Sequence, residues 1–393
     1  MKIGRITISE RIWYCIIFFF LLKPDYFSFL GTFTIIYNYV FLGIFCGVLL
    51  IGLRNLKVRK LAAVVFAITV FPVAVSFLDN VQLPLAAFIP VLQTIGLIVT
   101  IEISIKKQSI GALSGLALLL EVYTYVNFLS IILYPKGLYD ATLYSGNYWF
   151  LGYKNVMIRF LLPAIVLNAI MAVYSKKKYN LRLYLLIIIS VATEWFVDCK
   201  TGIIGIAIVI VMMFVFTRRK IPRFINAKNG LICIGVLSVA LGTTSLLNEF
   251  SGVLAGLGET VSVFSRQAVW FRAIQLFINS PIIGYGLRTN DGYRQLINLS
   301  TGWGYFSHPH NYILYVLIQG GLIELLMIVY LIVKISHICL KNRNNYMAKM
   351  LIVFYIASFV MGITESLVGY TLLFPIALFA ENLCDIDVKY EYR

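Results

Sequence analysis

Residues 302–324 read GWGYFSHPHNYILYVLIQGGLIE, a polar, histidine-bearing segment that turns directly into a long apolar helix. His308 precedes Pro309, which disfavours helical geometry at His308 and makes Pro309 a natural first helical residue. That register places His310 and Asn311 in the first turn. There the helix dipole and unpaired backbone N–H groups favour bound anions and disfavour an imidazolium. A neutral His310 at this point suits a base or hydrogen-bond partner, and equally an interfacial histidine capping a transmembrane helix.

The rest of the chain repeats the same contrast of apolar block and polar punctuation. Its 393 residues are 60% hydrophobic with a mean hydropathy of +0.88, which excludes an ordinary soluble domain. Apolar blocks near the ~20 residues that a helix needs to cross a bilayer make the fold class an all-α polytopic membrane protein. The formal charge of +16 does not point to nucleic acid, because the basic residues fall in short turns between apolar blocks. The six cysteines are scattered and show neither a disulfide framework nor zinc-ligand spacing.

In chain order, spans are expected at 12–22, 33–53, 61–78, 83–105, 110–133 and 156–174. Two more follow on either side of a tight turn at 194–201, then 230–247, 309–333, 350–363 and 367–383. Lys2, Arg5 and Arg11 ahead of the first run mimic a secretory signal. No small-residue cleavage site follows, however, and Lys23-Pro24-Asp25 reads as a turn, so this run is expected to stay as a span. The pattern is one transmembrane domain over 1–393 with about twelve helices and both termini cytoplasmic. Two extracytoplasmic loops stand out, 134–155 and the large loop 248–307. Of the 33 Lys and Arg, 24 fall on the side so assigned to the cytoplasm, as the positive-inside rule requires.

The nine exceptions are Lys23, Lys136, Lys154, Arg159, Lys200, Arg266, Arg272, Arg288 and Arg294. Several come from loops that can converge on one outer cavity, where cations suit a phosphate-bearing lipid. Lys23, Lys136 and Arg294 read as solvated or headgroup-binding charges. Within the large loop, 265–279 reads as an amphipathic helix carrying Trp270, Phe271, Ile274, Phe277 and Ile278 on one face, closed by Ser280-Pro281. Arg266 shares that face through Trp270, so it needs an anion or an outward path. Arg272, on the opposite face, is expected to be solvated. Residues 281–286, PIIGYG, read as a glycine turn with no nucleotide-binding context. Gly111 and Gly115 suit close helix packing.

The run SRQAVWFRAIQLFINSPIIGYG, a spacer, and then HPHNYILYVLIQGGLIE resembles the signature of the O-antigen ligase and Wzy-type polysaccharide polymerase family. The likeness is clear over 261–325 and looser at 147–155 and 199–205. It implies a GT-C-like helical glycosyltransferase fold, undecaprenyl-pyrophosphate-linked sugars as donor and acceptor, and metal-independent transfer without a cofactor at the outer face of the cytoplasmic membrane. It further implies a flippase and a chain-length regulator as partners. By the same resemblance Arg266 matches the family's loop arginine and His310 its motif histidine. Lys200 stands where an arginine is common, and Glu324 where a small residue is common.

Glycosyl transfer from a lipid pyrophosphate needs cations on the departing diphosphate and a group to take the proton of the attacking hydroxyl. Arg266 and His310 are the catalytic candidates. Lys200, Arg159, Arg288, His308 and Asn311 are the candidates for binding pyrophosphate or sugar. Asp198, Asp291 and Glu365 are further candidate bases, Glu365 being equally readable as an ordinary interfacial carboxylate. Glu324, near mid-membrane, reads as buried and neutral, as paired or as functional, and the sequence does not choose among these. The function so read is polymerisation of lipid-linked repeat units into a surface polysaccharide such as O-antigen, capsule or exopolysaccharide. The alternatives are ligase-type transfer of a finished glycan to another acceptor and transport of the lipid-linked sugar, the last opposed by the lack of an internal repeat.

Overall fold

The computed structural model describes residues 8–55, 59–140, 146–176, 178–243, 260–298, 300–301, 304–367, 369–384 and 388. The expectations at 141–145, 244–259 and 302–303, and those for Lys2 and Arg5, lie outside these residues. The first helices are α1 (Ile8–Leu21), α2 (Thr32–Asn55), α3 (Lys60–Leu78), α4 (Leu85–Lys106) and α5 (Gly111–Leu133). A two-residue ladder, β1 (Tyr148–Trp149) with β2 (Gly152–Tyr153), leads into α6 (Lys154–Lys176), α7 (Leu181–Phe196), α8 (Lys200–Arg218) and α9 (Ala227–Thr243). Then come α10 (Thr260–Asn279), α11 (Asn290–Ile297), the ladder of β3 (Ser300–Thr301) with β4 (Gly304–Tyr305), α12 (Tyr312–Lys341) and α13 (Tyr346–Met361).

Among the described residues seven helices, α2 to α6, α8 and α12, are long and apolar enough to cross a membrane. A chain in hydrocarbon must satisfy its backbone internally, and helices do so within one segment. The protein is therefore an all-α, multi-pass membrane protein. Burial separates its centre from its rim: 78% of the α6 span is buried against 28% of the α2 span, whose Ile35, Ile36, Leu50 and Leu53 stay exposed. Those side chains are what a lipid-facing helix presents. The α1–α5 contact is close at the expected glycine pair, since a Cβ on Gly115 would lie 2.8 Å from the Cys15 backbone nitrogen.

Three expectations are corrected. The last predicted span, 367–383, is not a regular helix: among its described residues, turns at 371–374 are followed by the largely buried 3-10 helix Pro375–Cys384. The amphipathic helix begins at Thr260 rather than residue 265, and its buried face is Val269, Trp270, Ala273 and Leu276. Phe271 and Ile278, assigned to the apolar core face, point outward because Trp270 rather than Phe271 sets the helix rotation by docking under Pro309. Finally, α12 starts at Tyr312 with Asn311 as its N-cap, so neither Asn311 nor His310 lies in the first turn. The Asn311 side chain accepts from Leu314 N at 3.1 Å, a better cap than the ring of Pro309 supplies.

α12 is also broken. Gly321 has φ 60° and ψ −153°, well outside the helical region, and the continuous ladder fails around it. The freed groups are taken up by the glycine turn that follows α10. Tyr285 N donates to Ile318 O and Gly286 N to Gln319 O, both at 2.8 Å. In return Leu322 N donates to Pro281 O at 2.9 Å and Ile323 N to Ile282 O at 3.1 Å. Leu287 N continues to Pro72 O on α3 at 2.9 Å, and Arg288 pairs with Asp79 at the α3 end at 2.7 Å. A Cβ on Gly284, itself at φ +66°, would lie 2.5 Å from Ile318 O. Gly284→Ala is therefore expected to destabilise the protein by about 2 kcal/mol or more. Thermal unfolding in detergent should show a clear drop in midpoint that the nearby exposed change Ile282→Ala does not reproduce.

Candidate functional site

The junction ahead of α12 is held on both sides of His310. Trp270 Nε1 donates to Pro309 O at 2.7 Å, and Asn311 N donates to Ser366 Oγ at 3.3 Å. Tyr312 N then donates to Gly362 O at 2.8 Å. Between these anchors His310 adopts φ +50°, a left-handed conformation unusual for a non-glycine residue. Asp198 and Leu367, which flank the same region, share it at φ +51°. Backbone strain of this kind, of order 1–3 kcal/mol per residue, persists where surrounding contacts over-determine it.

Four segments meet here: the 306–311 loop, the turn 362–370, the start of α6 and the start of α8. His310 Nδ1 lies 3.7 Å from Glu365 Oε2 and has no hydrogen-bond partner among the described residues. Asn155 Nδ2 donates to the other Glu365 oxygen at 3.0 Å, fixing the carboxylate. The His308 ring packs on the His310 ring with centroids 4.1 Å apart, and its Nδ1 is 3.2 Å from Ser366 Oγ. Loss of water, the neighbouring His310 and the positive charge of Arg266 together hold His308 well below the usual histidine range. His308 is thus neutral, and Arg266 is close enough to act on it electrostatically.

The start of α8 closes the other side. Cys199 Sγ contacts Asn155 Oδ1 at 3.8 Å, and the Thr201 and Thr364 hydroxyls are 3.4 Å apart. Burial and the adjacent Glu194 push the Cys199 thiol up, so it remains a thiol. Lys200, the first residue of α8, is exposed at a helix N-terminus, which adds positive potential to its own charge. Lys154 Nζ donates to Asp198 O at 3.3 Å.

Other expected site residues serve different ends. Arg159 pairs with Asp25 at 2.6 Å and reaches Gly369 O at 3.5 Å, fastening α6 to the first turn and to the 362–370 turn. Arg288 is committed to Asp79 and to the loop carbonyl of Tyr285, 3.1 Å from its Nε, so it anchors the turn rather than joining His310. Both Asn311 amide hydrogens are used, on Ser238 Oγ at 2.8 Å and Ile363 O at 3.1 Å, and the residue is fully buried. It shapes the loop and has no donor left for substrate. Arg272, expected in solvent, is half-buried with its Nε on Ile297 O at 3.2 Å, capping α11. Asn155 and Ser366 were not legible, because their roles come from contacts across 210 and 58 positions of sequence.

Fold and site together define a multi-pass membrane protein with a strained, histidine-bearing polar site at one end of its helical bundle. Residues 198–329 match the family model described as O-Antigen ligase. That segment contains Lys200, Arg266, His308, His310 and Asn311, and the match supports the O-antigen ligase/polymerase family for this chain. No curated protein and no solved structure matches it.

His308 also sets a pH dependence. Its folded pKa lies below the unfolded value of about 6.5, so the unfolded chain binds more protons as pH falls. Stability is fully present above about pH 6.5 and falls below it by up to about 1.4 kcal/mol per pH unit. The midpoint of thermal unfolding should drop more steeply between pH 6.5 and 5 in the wild type than in His308→Gln.

Proposed function

We propose that the protein polymerises undecaprenyl-pyrophosphate-linked oligosaccharide repeat units at the outer face of the cytoplasmic membrane. The family implies a glycosyltransferase-like membrane enzyme acting on lipid-linked glycans. The observation that carries the reading further is the pairing of His310 with Glu365 beside the Arg266-influenced His308. A hydroxyl of the acceptor sugar attacks the anomeric carbon of the donor; the carbon–oxygen bond to the lipid diphosphate breaks, and its electron pair leaves with the diphosphate. His310 Nε2 takes the hydroxyl proton, while Glu365 across Nδ1 stabilises the imidazolium that forms. Arg266, with Lys200 at the α8 start, meets the charge of the leaving diphosphate. Attack opposite the leaving group inverts the anomeric centre.

The orientation that fits is the one the basic turns select: termini on the cytoplasmic side, His310 and the α6 and α8 starts outside. A ligase moving a finished glycan to a different acceptor uses the same base and cations, so the acceptor decides between them. Purified protein given a lipid-pyrophosphate-linked repeat unit without nucleotide should yield a ladder of products. His310→Ala is expected to lower the rate by about 100-fold or more and Glu365→Gln by about tenfold, with Arg266→Ala comparable to the first. Transfer only to a supplied non-repeat acceptor assigns ligase activity. Unchanged ladders in His310→Ala and Arg266→Ala overturn the site.

A further inference from the structure

α6 joins the His310 site to a second polar site at the far end of the bundle. Asn155 in its first turn holds Glu365, and Tyr174 and Ser175 in its last turn line a cavity of about 250 Å³. At 1.5 Å per residue the two lie roughly 30 Å apart along the helix. The inner ends of α1, α5, α6 and α7 form this cavity, with Arg11, Ser114, Tyr174, Ser175, Asn180 and Arg182 among its polar lining residues.

Its charges do not balance. Arg182 Nε donates to Glu121 Oε1 at 2.5 Å, and the Tyr125 hydroxyl donates to the same oxygen at 3.0 Å. Arg11 lies near enough to Arg182 for the two guanidiniums to repel, and near enough to Glu121 to share its attraction. Among the described residues one buried carboxylate thus stands against two guanidiniums. The adjacent acid, Glu10, is turned away to accept the Ser109 hydroxyl. Arg11 Nε is buried with no hydrogen-bond partner among the described residues. A desolvated guanidinium N–H without an acceptor is costly, and an anionic acceptor both satisfies it and offsets the excess charge.

The geometry points to a binding site for a phosphate group, carried by an anionic lipid headgroup or by a small soluble phosphate. Two planar guanidinium forks match tetrahedral phosphate oxygens, and the Ser114 and Tyr174 hydroxyls add neutral donors. The cavity lies at helix ends, where Ile8 on its rim is 80% exposed, so a headgroup can enter from the bilayer surface. This site is separate from the chemistry at His310 and shares no residue with it.

The full chain, delipidated in neutral detergent, tests it by native mass spectrometry and thermal shift. The probes are phosphatidylglycerol, inorganic phosphate, and diacylglycerol as the control without a headgroup. Binding of phosphatidylglycerol but not diacylglycerol, weakened about tenfold in Arg11→Gln and severalfold in Arg182→Lys, is expected. Binding of phosphatidylglycerol alone identifies a lipid site, and binding of inorganic phosphate as well identifies a soluble ligand. Arg182→Lys keeps a charge against Glu121, so it folds even where removal of an arginine does not. Unchanged affinity in both variants overturns the proposal. So does binding lost in Arg266→Ala but kept in Arg11→Gln, since the ligand then sits at the opposite end. Glycan transfer reads the His310 site independently of either result.

Discussion

A membrane helix that loses its own hydrogen-bond ladder must find partners at depth, and that constraint organises the His310 half of this protein. Gly321 breaks α12 about 14 Å along the axis from Tyr312, and water is scarce there. The turn after α10 descends to meet the break and exchanges four backbone hydrogen bonds with it. Once docked, that turn fixes the end of α10, and α10 presents Trp270 to the carbonyl of Pro309. The loop bearing His308 and His310 is thereby clamped between two parts of the structure that the same break holds together.

The site built on this clamp is a meeting of unlike environments. His308 is kept neutral by burial and by His310 and Arg266 beside it, while His310, two residues on, faces a carboxylate held by Asn155. Two histidines in one short loop are thus given opposite electrostatic neighbours. The positive φ of His310, Asp198 and Leu367 shows how tightly the four converging segments constrain one another. Such conformations cost free energy locally and are sustained by the packing of α6, α8, α10 and the 362–370 turn.

Much of the architecture was legible in the sequence because hydrocarbon imposes a length and a polarity that single residues cannot hide. The spans from α2 to α6 fall within a few residues of their apolar runs, and the Gly111 and Gly115 pair packs α1 on α5 as their size suggests. Trp270 was legible as a core residue of its amphipathic helix. What escaped were features decided by tertiary partners. The PIIGYG turn reads as punctuation until Ile318 and Gln319 are beside it. Arg288 reads as a spare cation until Asp79, 209 positions away, neutralises it. Glu365 reads as an interfacial acid until His310 lies across from it. The last span escaped for another reason: composition reports that 367–383 is apolar, not that it folds as turns and a 3-10 helix.

The broken helix also constrains how the chain is built. Residues 280–287 leave the ribosome before Ile318, Gln319, Leu322 and Ile323, so the turn exists for a time without its partners. Its N–H and C=O groups must remain hydrated until α12 has been threaded into the bilayer, because lipid offers them nothing. Insertion of the spans therefore comes first and seating of the turn last. The clamp on the histidine loop is complete only once that turn is seated.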